Sequence, residues 1–404
     1  MQPEVDNVRS IKRMTVVYAR EAVPAAWEKS IFLAGPSPSE NGVISWRVRA
    51  VEILEKMGYD GVVFIPESRP DERGNTRFEV DYIEQVEWEE QCLNMADVIV
   101  FWVPRNRKSL PGITTNAEWG AWQDSGKVVF GAPEDAWKTR YLKRYAEKLK
   151  APTAATLEDT ISQALDLLGE GALRSRGERS IPLFIWRLGH FQQWYRSLVQ
   201  AGNVLESARV VSTFRPAGNR TFAFLWIIQP VVYITKEGRS KTNEFVLSRT
   251  DISSVVLYRP AKDLLDTEII LVREFRSPVS NPTGNVWELP GGSSFKPNQN
   301  PLEVAADEIS EETGLMVEST RLTYHGARQV VATFSTHKAD LFSAPITDEE
   351  IAWLRSQKGV VRGVEVDSER TYVEVMTWRE ILAGNLVDHA MIGMIAQVLM
   401  RYVS

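Results

Sequence analysis

The sequence predicts an α/β region built on a parallel sheet, then a helical linker, then an α+β region. Three observations carry this. The first 135 residues alternate short apolar runs with amphipathic helical periods, residues 136–205 are helical and cation-rich, and from about Phe214 onward strands and helices segregate. A chain of 404 residues also exceeds a single ordinary domain, at about 100–200 residues per domain. The expected boundaries are 1–135, 136–205 and 206–404.

In chain order, Ser30-Ile31-Phe32-Leu33-Ala34 is an apolar run ended by Gly35-Pro36, and Val48, Val51, Leu54 and Met57 then mark one face of a helix. Gly61 to Ile65 is a second strand, Tyr82 to Met95 a helix, Asp97 to Val103 a third strand, Asn116 to Asp124 a helix and Lys127 to Phe130 a fourth strand. This βαβαβαβ order implies a Rossmann-like parallel sheet with ligands at the carboxyl ends of the strands, here Gly35, Pro66 and Pro104. The cation-rich stretch with Arg140, Lys143, Arg144, Arg174 and Arg179 is expected to be a linker helix pair with a solvated face. Strands follow at Phe222–Thr235, Glu244–Thr250, Ser253–Arg259 and Thr267–Phe275, then a helix at Pro301–Thr313. Further strands are expected near Leu322–His325, Val330–Phe334 and Tyr372–Met376, with a closing helix from Asp388 to Tyr402.

Forty-seven basic side chains against fifty-three acidic ones give a net charge of −6. That balance weighs against general binding of nucleic acid or anionic membrane, which needs clustered cations. The single cysteine, Cys92, cannot close an internal disulfide. The longest apolar stretch, Phe222 to Ile234, is too short to span a bilayer and is broken by Gln229 and Pro230. Met1 to Arg20 mixes charges throughout and has no signal-peptide pattern, so the expected compartment is the cytoplasm. Thirteen tryptophans are the unusual entry in the composition.

Two segments carry chemistry. In the helix from Pro301 to Thr313, ended by Gly314, Glu308, Glu311 and Glu312 fall within about one turn on nearly one face. Carboxylates so placed fit Mg²⁺ or Mn²⁺ bridging to phosphates, although the charge cluster taken alone fits a solvated acidic face better. With the preceding Glu288-Leu289-Pro290-Gly291-Gly292 turn and the ending Glu311-Glu312-Thr313-Gly314-Leu315, the segment resembles the Nudix box of diphosphate hydrolases. The pattern departs at Gln299, where the family has glutamate, at Asp307, where it has arginine, and by one residue in the glycine spacing.

Together with Ile270 to Arg276 and Val286 to Gly292, the region looks like the ADP-ribose pyrophosphatase branch of that family. The resemblance implies a Nudix fold over about 205–404 and a homodimer. It also implies metal held by Glu308, Glu311, Glu312 and the carbonyl of Gly291, with Arg276 and Glu288 in the substrate pocket. The general base stays open between a box glutamate and the acidic Asp348, Glu349 and Glu350.

In the amino-terminal region the runs I-F-L-A-G-P, Trp88-Glu89-Glu90, Ala96 to Trp102 and Thr115-Asn116-Ala117-Glu118-Trp119-Gly120 are similar to nucleoside 2-deoxyribosyltransferases. Thr115 or Asn116 is the expected cap of a helix that carries Glu118 in its first turn. The resemblance implies that Glu118 attacks the anomeric carbon, with Glu89 as partner carboxylate and Gly35, Asp97 and Asn116 lining the substrate, while read from its place alone Asp97 orients backbone at the start of its strand. Where the main family has an aspartate six residues before the nucleophile, this chain has Gly112. Trp88, Trp102, Trp119 and Trp122 lie on the same segments, as core or as a wall against a base.

The expectation is a bifunctional nucleotide-processing enzyme acting on small nucleosides or nucleotides, with an N-glycosidase or deoxyribosyltransferase activity and a diphosphate hydrolase activity. The alternative is a nucleotide sensor in which one domain binds without catalysis and regulates the other.

Overall fold

Four of the expected apolar runs pair side by side as strands. The computed structural model describes residues 13–39, 43–70, 82–215, 223–293, 299–363 and 369–402. Phe222 and residues 294–298, which fall in an expected strand and loop, lie outside the described residues. The chain divides into two compact units, Met1–Leu247 and Ser248–Ser404.

The first unit is built on β1 (Thr15–Tyr18), β2 (Ser30–Ala34), α1 (Trp46–Lys56), β3 (Val62–Ile65), α2 (Tyr82–Met95), β4 (Val98–Trp102), α3 (Ile113–Trp122), β5 (Val128–Gly131), α4 (Arg140–Lys148), β6 (Thr153–Ala154) and α5 (Leu157–Leu168). The strands lie in the order β1-β3-β2-β4-β5-β6, all parallel. β2, β3, β4 and β5 are buried along their whole length, which is why they read as unbroken apolar runs. Trp88 and Cys92 of α2, Trp119 of α3 and Leu142 of α4 fill one face of the sheet, while Ala50 and Ile53 of α1 and Ile161 of α5 fill the other.

Several expectations change. Strand β1 was not foreseen. Helix α1 turns Trp46, Ala50, Ile53 and Leu54 inward; of the expected Val48, Val51, Leu54 and Met57 face, Leu54 is buried and Val51 packs against the core, while Val48 and Met57 are exposed. Nor is 136–205 a separate linker. β6 extends the parallel sheet from β5, and α4 and α5 pack on opposite sides of it. Farther on, α6 (Gly189–Gln200) packs on the antiparallel pair β7 (Val204–Phe214) and β8 (Leu225–Ile234) through Phe191, Leu205, Trp226 and Ile228. Trp186, Trp194 and Trp226 make ring contacts in this cluster, which accounts for three of the tryptophans as packing.

The second unit contains β11 (Ile252–Arg259), β12 (Glu268–Phe275), β13 (Asn285–Glu288), β14 (Gly291–Gly292), α7 (Pro301–Thr313), β15 (Thr323–Gln329), β16 (Lys338–Pro345), α8 (Asp348–Ser356), β17 (Tyr372–Thr377), α9 (Trp378–Ala383) and α10 (His389–Leu399), preceded by the short strands β9 (Arg239–Lys241) and β10 (Val246–Arg249) at the end of the first. Its sheet is mixed: β11 pairs in parallel with β16, and the remaining pairings are antiparallel. Helices α7 and α8 cover one face and α9 and α10 the other. The expected strand Val330–Phe334 is the exposed connection between β15 and β16, with Val331 and Phe334 facing out. Helix α7 has the expected limits: Asn300 caps it, Pro301 opens it, and Gly314 closes it with a left-handed φ.

At the amino end of the parallel sheet, Asp97 accepts hydrogen bonds from the Ser30 amide and hydroxyl, the Leu183 amide and both terminal nitrogens of Arg174, the last two at 2.7 and 2.6 Å. Arg174 and Asp97 side chains are 0% and 1% exposed. An ion pair this dry is strongly coupled to its partners, and removing one member leaves a buried charge unpaired. Asp97→Ala is therefore expected to lower stability by about 3–5 kcal/mol in urea unfolding, and a loss below about 1 kcal/mol would contradict this account.

Candidate active site

The sheet's carboxyl end is organised by a buried arginine. Gly35 follows β2 with φ +144, and a β-carbon there would meet the Trp102 carbonyl at 2.1 Å, so the chain turns over β4 only because the residue is glycine. Arg47, in the first turn of α1, is 1% exposed. It donates to the carbonyls of Leu33 at 2.9 Å and Gly35 at 2.8 Å, to the Ser37 hydroxyl at 3.1 Å, and to the carboxylate of Glu67. Glu67 is itself buried just beyond β3, and the Trp46 indole donates to the Pro36 carbonyl at 3.0 Å. Sequence reasoning missed Arg47 and Glu67. The available signal was a charge beside a tryptophan at the start of a helix whose first turn is buried, and a second charge directly after the Pro66 strand end.

Glu89 of α2 and Glu118 of α3 lie on the helices that share one face of the sheet. Burial pushes the Glu118 carboxyl up from its ordinary range to about 7; the neighbouring Glu89 charge pushes the same way, and Arg47 opposes both. Glu89 is raised by burial, against a 2.8 Å hydrogen bond from Gln85 and the pull of Arg47. Glu118, Glu89 and Arg47 thus sit within one another's fields, as the sequence expected of the two glutamates. Near neutrality Glu118 holds a proton against the charge of Glu89, an arrangement in which one carboxyl can act as acid and the other as base or nucleophile.

The helix start differs from expectation. Gly112, not Thr115 or Asn116, stands at the cap, with a left-handed φ of +60 and no side-chain cap bond, so Glu118 lies in the second turn. Asn116 accepts from the Arg105 guanidinium at 2.8 Å, and two residues of helix rotation turn it away from Glu118. Asp97 does not join the site either: it lies at the amino end of β4, five residues of strand from the carboxyl end, with its oxygens taken by the Arg174 network. Trp88 and Trp119 are buried in the core, edge-on to Phe64 and to Phe101 and Phe130.

In the second unit, Glu312 is buried and accepts from the Gly291 amide at 2.9 Å, while Glu308 lies in the space a β-carbon on Gly292 would take. Burial and the charges of Glu311, Glu369 and Asp307 push Glu308 up to about 7; burial raises Glu312 well above the carboxylate range, against its Gly291 hydrogen bond. Glu369 was not singled out from sequence. Arg276 pairs with Glu274 at 2.8 Å and Glu288 at 3.2 Å. Glu311 is exposed. Among the described residues, no three carboxylate, histidine or cysteine groups are arranged to hold a metal ion. The acidic Asp348-Glu349-Glu350 run is the first turn of α8, where Glu350 closes a capping box with Thr347 and pairs with Arg321 at 2.6 Å, so it offers a helix cap and no free base. No helix among the described residues is long and apolar enough to cross a membrane.

The elevated Glu118 pKa has a stability consequence. Its folded value exceeds the ordinary 4.5, so the protonated form favours folding; this stability is complete below about pH 4.5 and is lost as pH rises through about 7. Glu118→Gln is expected to match the wild type near pH 4 and to exceed it by on the order of 2 kcal/mol near pH 8. Parallel denaturation curves at the two pH values check this, and equal stability at both would contradict it. No curated protein is significantly similar to the chain. Residues 28–136, which hold Gly35, Arg47, Glu89 and Glu118, match the family model described as "Nucleoside 2-deoxyribosyltransferase like".

Proposed function

We propose that the first unit is an enzyme that cleaves or transfers the N-glycosidic bond of a nucleoside or nucleotide. What supports it is the pairing of Glu118 with Glu89 beside the buried Arg47, inside the stretch that matches the family model. In this reading the ionised Glu118 carboxylate attacks the anomeric carbon and forms a glycosyl ester. The bond to the base breaks as the departing nitrogen takes a proton from water, because Glu89, whose charge helps raise Glu118, is ionised where Glu118 titrates. Water, or a second base, then attacks the anomeric carbon from the opposite side, giving its proton to the Glu89 carboxylate, which returns it to solvent, and the sugar leaves with Glu118 restored. Arg47 holds the strand-end turn in place and offsets the second negative charge.

A nucleophile must be ionised, so base release is expected to rise with pH through about 7. Glu118→Gln should lose on the order of 10³-fold in rate, and rapid quenching of the wild type should leave a sugar adduct on the peptide containing Glu118. A rate that falls through the same pH range would exchange the roles of the two glutamates, and base release unaffected by Glu118→Gln would sink the reading.

For the second unit we propose hydrolysis of a nucleoside diphosphate derivative such as ADP-ribose, with Mg²⁺ or Mn²⁺. Support comes from the resemblance around Glu288 to Leu315 and from the placing of Glu308 and Glu312 against the Gly291-Gly292 strand. Carboxylate oxygens have the chemistry that Mg²⁺ takes; Glu308, Glu311 and Glu312 do not stand as a ready-made trio, and drawn together they would hold the cation, which would neutralise phosphate charge. Arg276, set by Glu274 and Glu288, would hold the substrate's phosphates or ribose. Metal-dependent formation of AMP from ADP-ribose is expected in the wild type and in Glu118→Gln, and is expected to be lost in Glu308→Gln. Tight nucleotide binding without turnover under either cation would instead make this unit a sensor of nucleotides.

A further inference from the structure

On the other side of α3 from Glu118 lies an open cavity of about 710 Å³, bounded by α3, α4 and the loops after β4 and β5. Arg105 forms part of its wall and is 5% exposed. Its bonds go to neutral acceptors: the Gly112 carbonyl at 2.9 Å, the Asn116 side-chain oxygen at 2.8 Å and the Lys138 carbonyl at 3.5 Å, while its Nε has no partner. Burial draws its pKa down, and among the described residues no carboxylate offsets that. A buried guanidinium held by carbonyls alone is an unbalanced charge, and an anion is its natural complement.

The rest of the cavity matches an aromatic anion. Lys138 adds a second cation, with its ammonium 4.9 Å from the Trp137 ring centroid. Lys138 also holds a left-handed φ of +52, a conformation costly for a residue with a side chain and typical of sites whose surroundings enforce it. The backbone is fixed to Arg105 here as well, through the Trp137 amide on the Arg105 carbonyl at 2.9 Å. Tyr141 is 70% exposed on the rim, with Tyr145 behind it at 4.9 Å between centroids. Large exposed rings beside a dry cation are what a planar, negatively charged ligand needs, and the cavity has the size of a small-molecule site.

We propose that this cavity is a second ligand site that binds a nucleoside 5′-monophosphate, with its phosphate on Arg105 and Lys138 and its base against Tyr141 and Trp137. The site is separate from the Glu118 cleft, and its existence does not depend on the glycosidic reading.

Titration calorimetry of the full chain with each of the four common ribonucleoside 5′-monophosphates, and with the matching uncharged nucleosides, tests it. At least one monophosphate is expected to bind a site that survives Glu118→Gln, with the nucleoside at least tenfold weaker. Lys138→Met and Tyr141→Ala, both at exposed positions, are each expected to weaken that binding at least fivefold; Arg105→Gln should abolish it where circular dichroism shows the fold intact. Three results would each overturn the proposal: no binding by any monophosphate at millimolar concentration, binding lost in Glu118→Gln, or binding unchanged in both Lys138→Met and Tyr141→Ala.

Discussion

The first unit turns on one buried guanidinium. A fully desolvated arginine is tolerable only when its fixed fork of donors is occupied, and Arg47 uses its donors on Leu33, Gly35, Ser37 and Glu67. Those partners come from the end of β2, the turn after it and the end of β3, so a single side chain fixes the strand ends against one another. The same charge opposes the burial and mutual repulsion that raise Glu118 and Glu89. Geometry and proton affinity in this cleft therefore have a common source: moving Arg47 would loosen the turn and raise both carboxyls together.

The two ends of the parallel sheet show how surroundings decide what a carboxylate does. Asp97 receives hydrogen bonds from two backbone amides, a hydroxyl and a bidentate arginine, which leaves its oxygens committed. The Glu118 carboxylate accepts no hydrogen bond among the described residues and is half-buried beside a second carboxylate. An acid whose acceptor capacity is filled by the protein is inert, whereas one that is desolvated and under-bonded gains most from a ligand that supplies a donor or an electrophile. In an α/β sheet the carboxyl ends are where loops open and ligands reach, and the amino end here is sealed by Arg174.

Much of this was legible in the sequence, and the reasons for the remainder are physical. The β2, β3, β4 and β5 runs are legible because strands covered on both faces are apolar throughout. Helix α7 is legible from Asn300, Pro301 and Gly314, which are local signals. Strand β1 and the short β6 are too brief to announce themselves, and β6 made the cation-rich stretch look like a linker although α4 and α5 bury one side each. Glu89 and Glu118 were found through motif and position. Arg47, Glu67 and Glu369 were missed because nothing in the local sequence shows that a surface-type charge is turned inward by the fold; Asp97 holds backbone at the strand start, the first of its two expected roles, and its substrate role fails because partners 67 and 77 residues away take its oxygens.

The second unit meets the same burial constraint with a different solution. Glu308 and Glu312 are desolvated and feel Glu369, while Glu312 also feels Glu288. Arg276, the guanidinium beside this group, is already bound by Glu274 and Glu288. Carboxylates that crowd a dry site balance charge by holding protons, which is why Glu308, like Glu118, is pushed up to about 7 and Glu312 is raised well above the carboxylate range. In the first unit Arg47 opposes part of that push from within the chain. The second leaves that balance to protons, and any cation entering with a ligand must displace them; in consequence its affinity for such a ligand would increase with pH, whereas the first unit's dependence on pH is set by Glu118 and Glu89 themselves.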